Sequence, residues 1–241
     1  PKNIKVYAEP LSNDAGTSLG AAMLVANHYS SINCQLQSNL YYGPIYKLNK
    51  STVKKIASKN EIIENVDSNF IAELIANKNI VSMFQGRSEA GPRALGNRSI
   101  LYDPRDPTGK DKVNSVKRRE WFRPFAATVL HNEANSWFDM KSLEESPFMM
   151  FAVNAKKDKA SLIPGVLHVD NTCRIQTLKE TTNKNFYELI SSFYKLTSVP
   201  MLLNTSYNLA GDCIVETIEN AIDTLNKSNI NYLYLPELQM C

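Results

Sequence analysis

Short apolar runs alternate with amphipathic helical stretches along this 241-residue chain, and that order predicts a mixed α/β sheet with covering helices. Two further observations support this fold class. The apolar content of 43% suits a globular core, and no run reaches the roughly 18–20 apolar residues that a bilayer-spanning helix needs. The basic charge is local. Gly86 to Arg123 holds ten Lys/Arg and five Asp/Glu, a net +5 against +3 for the whole chain. Positive charge concentrated among turn residues and aromatics implies a phosphate, nucleotide or nucleic-acid ligand.

The elements follow in order. Residues 4–8 read as an extended strand. Pro10, Asn13, Asp14 and Gly16 then make a polar turn, and the Ala, Leu, Met and Val of the following stretch predict a tightly packed helix ending near Asn27. Residues 33–46 read as a polar connection carrying the turn at Gly43 and Pro44, with a domain boundary near residue 40. Helical spacing of apolar residues over 52–57 and 60–76, including Ile62, Ile63, Val66, Phe70 and Ile71, predicts two helices. The apolar run 79–85, closed by Gly86, predicts a buried strand that opens into a functional loop. Further strands are expected at 125–130, 149–155, 168–178 and 199–204, and helices at 185–196 and 217–226. Cys34, Cys173, Cys213 and Cys241 lack metal-finger spacing and are expected to be reduced thiols.

Several constellations could carry chemistry. In GRSEAGPRALGNRS, Gly86, Gly91 and Gly96 are spaced by five with Arg87, Arg93 and Arg98 interleaved. Glycine permits close backbone approach to an anion, and guanidinium groups bind phosphate or carboxylate bidentately. Pro92 occupies the position that a Walker loop gives to lysine, and no GxGxxG occurs. An exposed basic loop between a strand and a helix fits the spacing equally well. Lys117 to Phe125 joins cations to Trp121, Phe122 and Phe125, which could wall off a site of lowered dielectric or simply anchor a loop in the core. Strand alternation would put His168, Asp170, Thr172, Arg174 and Gln176 on one face. Asn204, Thr205 and Ser206 end a buried strand with groups suited to a small polar ligand. No GxSxG is present, which argues against a serine nucleophile. Asp14, at a helix entrance, could contact a metal or phosphate, or act as a cap.

Taken together and in order, GRSEAGPRALGNRSI, NSVKRREWFRPFAATVL, SPFMMFAV, HVDNTCRIQT and PMLLNTSYNLAGDCIVE resemble the C-terminal domain of the ATP-dependent O-carbamoyltransferases. That family includes the nodulation-factor, aminoglycoside and cephem carbamoyltransferases. The resemblance covers residues 41–241 and implies a YrdC-like open twisted sheet. EPLSNDAGTSLGAAMLV resembles the last strand, turn and helix of the family's actin-like domain, so residues 1–40 are expected to be a remnant of it. The chain, which starts at Pro1, is therefore expected to be a portion of a larger cytoplasmic enzyme.

The resemblance implies binding of carbamoyl phosphate and ATP with Mg2+, and formation of carbamoyl-adenylate for transfer to a hydroxyl-bearing small molecule. It carries Arg93, Lys117 and Arg123 over as catalytic residues. Arg87, Arg98, Ser99, His168, Arg174, Asn204 and Thr205 carry over as substrate or nucleotide contacts. Asp14 matches a metal-binding Asp that completes an iron or other divalent site only with two histidines of the actin-like domain, so that metal is not expected here. The expected partner is that domain, on this chain or a separate subunit, with no membrane, and with nucleic acid kept only as an alternative. Asn171 stands where the family usually has Gly in a turn, and Asn tolerates such backbone angles. Two alternatives remain open at this stage: a YrdC-like RNA-binding module, and a non-catalytic subunit of a split enzyme.

Overall fold

A computed structural model describes residues 8–29 and 39–241. Its centre is one eight-stranded sheet: β1 (Val81–Phe84), β2 (Arg98–Tyr102), β3 (Ala126–Leu130), β4 (Phe138–Asp139), β5 (Phe151–Ala155), β6 (Thr172–Leu178), β7 (Met201–Ser206) and β8 (Tyr232–Tyr234). The strands lie in the order β4-β5-β6-β3-β7-β2-β1-β8. β1 with β8 and β3 with β6 are parallel, and the other neighbours are antiparallel. Every residue of β1, β2 and β3 is buried, as expected where both faces of a sheet are covered.

The helices are α1 (Asp14–Tyr29), α2 (Lys50–Ile56), α3 (Ser68–Ala76), α4 (Gly109–Val116), α5 (Ala134–Trp137), α6 (Lys184–Thr197) and α7 (Ile218–Asn226). α3 and α6 pack on each other and reach the sheet through β1, β3 and β7. Local chemistry sets their ends. Asn183 caps α6 by accepting the Phe186 N–H, and Ser198 closes it in the left-handed region at φ 61°. Thr217 and Asn220 form a reciprocal capping box at the start of α7.

The structure departs from expectation in several places. Residues 60–67 are not helical. Ile63 and Cys241 exchange backbone hydrogen bonds, and the Val66 N–H donates to the Gln239 carbonyl, so this stretch lies extended along the C-terminal segment. Its apolar residues answer that segment, and Asp67, accepting the Phe70 N–H, delays the helix to Ser68. β2 was hidden inside what reads as a basic loop, and α4 and β8 were not foreseen. β6 begins at Thr172 rather than 168, because His168 to Asn171 form a turn in which Asn171 takes φ 62°. α1 was expected to be tightly packed, yet none of its described residues is buried. Most of the expected strand over 4–8 and residues 33–38 of the polar connection, with Cys34, lie outside the described residues. The other three cysteines are free, and no described helix is long and apolar enough to cross a membrane.

Candidate anion-binding cleft

The turn after α4 and the turn after β7 face each other across a cleft of about 550 Å³, within the roughly 300–1,000 Å³ typical of small-molecule sites. Arg93, Lys117, Arg118, Arg119 and Arg123 line it, with Glu120 as the one carboxylate among the lining residues. Glu120 meets Arg123 at 2.8 Å in an ion pair about half exposed on both sides, a contact of little net strength that a ligand anion can replace. Arg174 adjoins this group. Its guanidinium feels the charge of Arg93, and Arg119 feels both Arg123 and Arg174. Burial first, and these like charges second, pull the pKa of Arg119 and of Arg174 down to about 10. Both remain cationic at neutral pH.

Lys117 is 3% exposed and has no acidic partner among the described residues. Its ammonium donates to the Ser206 carbonyl, to the Asn208 carbonyl at 2.9 Å and to Asn208 Oδ1 at 2.9 Å. Three donors are thereby matched by three oxygens, so Lys117 fixes the 206–208 turn. Burial, and secondarily the Arg119 charge, lowers its pKa to about 7. Arg119 is set by Asn114, whose Oδ1 accepts its Nε at 2.6 Å, and by the Phe125 ring, 4.3 Å from its Cζ. By contrast, Arg174 Nε is buried without a hydrogen-bond partner among the described residues.

The Gly/Arg loop before β2 is built differently from a phosphate cradle. Glu89 Oε1 accepts the N–H groups of Leu95 at 2.6 Å and Asn97 at 2.8 Å, so an internal carboxylate already holds the donors that a phosphate would want. Burial raises the Glu89 pKa, and those N–H bonds oppose the rise. Gly96 has φ 115°, and a Cβ there would stand 2.3 Å from Phe186 Cδ1, so its close approach is to an aromatic ring. Arg98 is completely buried, with Cζ 3.7 Å above the Phe84 ring. Its side chain donates to the carbonyls of Gln85, Asn97, Gly86 and Glu216. Arg87 binds the carbonyls of Gly43 at 2.6 Å and Tyr42 at 3.1 Å, tying down residues 42–43. Both arginines are joined to protein backbone.

Strand alternation sorts the remaining candidates. Ala126 is the register partner of Arg174 on one side and Asn204 on the other, so these two share a face about 10 Å apart, two strand spacings. Thr205 points to the opposite face. Asn204 is 1% exposed and donates to the Thr128 hydroxyl at 2.9 Å and the Ala94 carbonyl at 3.2 Å. Gln176 accepts from Thr128 at 2.8 Å and donates to the Leu95 carbonyl at 3.1 Å. This buried layer supports the loop that carries Arg93. Ser99, also buried, accepts the Gly96 N–H at 3.1 Å. The Thr172 hydroxyl donates to Asp170 and so accepts from His168 Nδ1 at 2.9 Å. Burial lowers the His168 pKa against the opposing charge of Asp170. Asp14 is exposed at the start of α1, and the described residues contain no group of three His, Cys, Asp or Glu able to hold a metal.

The structure therefore brings Arg93, Lys117 and Arg123 to one cleft with Arg174 beside them, and places Asn204 beneath it. Arg118, Arg119 and Asn208 are lining residues that sequence reading did not single out, and Ser206, read with Asn204 and Thr205 as a polar strand end, lines the cleft beside them. A second cavity, of about 340 Å³, lies between α2, α7 and β8 but is walled by Val53, Ile62, Ile222, Leu225 and Leu233, too apolar for phosphates.

The sequence profile of the family described as carbamoyltransferase C-terminus matches residues 72–240. Nodulation protein NolNO of Sinorhizobium fredii is 40% identical over 235 residues, covering 95% of this chain and 35% of that protein. Nodulation protein NolO of Bradyrhizobium diazoefficiens is 36% identical, covering 95% and 43%, and nodulation protein U of Rhizobium tropici 35% identical, covering 86% and 34%. The chain thus spans less than half the length of these relatives. Among solved structures, full-length HypF in its phosphate- and nucleotide-bound form has a TM-score of 0.53 at 16% identity, covering 70% of this chain and 24% of that one. A variant of P. abyssi Sua5 has a TM-score of 0.50 at 12% identity, covering 72% and 50%. These likenesses show the fold, and the sheet is YrdC-like, as the sequence resemblance implied.

Proposed function

The chain belongs to the carbamoyltransferase C-terminus family, and from that premise we propose that its cleft binds carbamoyl phosphate and ATP and joins them as carbamoyl-adenylate. One observation carries the reading: four arginines and Lys117 line a single cleft against one carboxylate. The phosphate and nucleotide named for the HypF structure, which shares this fold, support the same ligand chemistry. In the proposed sequence, water cleaves carbamoyl phosphate to carbamate and phosphate. A carbamate oxygen then bonds to the α-phosphorus of ATP as the bond to pyrophosphate breaks.

The chain's residues offset repulsion and hold the reactants in line, which supplies most of the catalysis in reactions of this type. Arg93 and Arg123, both lining the cleft, reach the anions. Arg174 and Arg119 add fixed positive charge beside them, Arg119 held by Asn114. Lys117 positions the Ser206 to Asn208 turn. ATP would bring Mg2+ on its phosphates, for Glu120 is the one carboxylate among the cleft-lining residues. We assign passage of the carbamoyl group to an acceptor hydroxyl to a domain matching the rest of the relatives' length, on this chain or a second subunit.

The test is ATP–pyrophosphate exchange that depends on carbamoyl phosphate. Arg123→Ala is expected to lower the exchange by about 100-fold, the usual scale for removing a charge-stabilising donor. An Arg123→Ala chain that exchanges as fast as the wild type contradicts the reading.

A further inference from the structure

Trp121 and Phe122 are 72% and 62% exposed, two consecutive large aromatics turned to solvent in the short segment between Lys117 and Arg123. Their rings meet edge to face, with centroids 6.1 Å apart and planes at 86°. The backbone beneath them is fixed. Asn114, 1% exposed, donates through Nδ2 to the carbonyls of both Trp121 and Arg123 at 3.0 Å, and the Arg123 N–H donates to the Glu120 carbonyl at 3.2 Å. On either side of the pair, Glu120 and Arg123 line the cationic cleft. Phe125 serves the core instead, buried beneath Arg119. A pinned turn thus holds an uncovered aromatic pair at the mouth of an anion site.

We propose that Trp121 and Phe122 form the platform for the purine base of the nucleotide whose phosphates enter the cleft. A base presents a flat π-face, and aromatic side chains beside a cationic groove are how proteins hold bases without base-specific hydrogen bonds. Arg123 follows Phe122 directly and Trp121 by two residues, a backbone span of at most about 7 Å. That is the scale of the sugar between a base and its α-phosphate. The platform rests on the ATP reading above, and adds to it a residue pair that distinguishes a nucleotide from a bare polyphosphate.

The test is calorimetric titration of ATP and of inorganic tripolyphosphate into wild-type protein and a Trp121→Ala/Phe122→Ala double variant, whose changes lie at the surface. The variant is expected to bind ATP about tenfold or more weakly and tripolyphosphate unchanged, the scale of one lost base-stacking contact. Trp137 is 4% exposed. A Trp137→Phe chain therefore reports Trp121 emission alone, which ATP is expected to quench and tripolyphosphate to leave unaltered. If the double variant keeps wild-type affinity for ATP, or loses both ligands equally, the platform is overturned while the cleft stands. If wild-type protein binds neither ligand, the cleft reading falls and takes the platform with it.

Discussion

Arg93 and Arg98 lie five residues apart in one basic motif and have opposite fates. Arg93 is partly exposed on the cleft wall, whereas Arg98 is completely buried, stacked on Phe84 and bonded to four backbone carbonyls. Arg98→Met should strand those carbonyls and cost about 3–5 kcal/mol, since each buried group left unsatisfied costs roughly 1–3 kcal/mol. Arg93→Gln should stay within about 0.5 kcal/mol, as surface changes do. Urea midpoints of the two variants check this, and equal midpoints would contradict it. The sequence showed that this motif concentrates cations; it could not show which ones the backbone would consume. Only the positive φ of Asn171 was legible at single-residue resolution, because it depends on local sterics alone. Glu89 illustrates the opposite case, an acid that reads as mere charge dilution but organises the loop from inside.

At the scale of elements, the buried layer of Thr128, Gln176 and Asn204 runs across β3, β6 and β7 and holds the carbonyls of Ala94 and Leu95. Asn204→Ala removes the donor to Ala94 and leaves Thr128 with one contact fewer, for an expected loss of about 1–3 kcal/mol. The loss should be local. Amide hydrogen exchange should accelerate over residues 92–97 while α7 keeps its protection, and unchanged exchange in the loop would remove the supporting role. Strands bounded by clear breakers, such as β1, β3 and β7, were readable from their apolar runs. The helix expected from residue 60 was not, since Ile62, Ile63 and Val66 satisfy a helical period and an extended packing against residues 239–241 equally well. β2 escaped notice because its first residues, Arg98 and Ser99, are polar groups that the fold buries with partners.

For the whole molecule, folding gathers cations that a separate chain would keep apart. The fall of the Arg119 and Arg174 pKa values to about 10 shows that burial and mutual repulsion oppose this gathering. Such a local conflict is expected where a fold serves a ligand rather than its own stability. The net +5 of the basic stretch pointed to this region, although Arg105 with Asp103 and Lys112 with Asp106 pair away from the cleft. Convergence of Arg93, Lys117 and Arg123 with Arg174 is a tertiary property, visible beforehand only through family resemblance. Its most direct test is calorimetric titration of carbamoyl phosphate into wild-type protein and an Arg93→Gln/Arg123→Gln double variant at two salt concentrations. The account predicts saturable one-to-one binding that weakens with salt and falls by at least about 100-fold in the variant, two charge-assisted contacts at roughly 1.5–3 kcal/mol each. Equal affinity in the two proteins would contradict it.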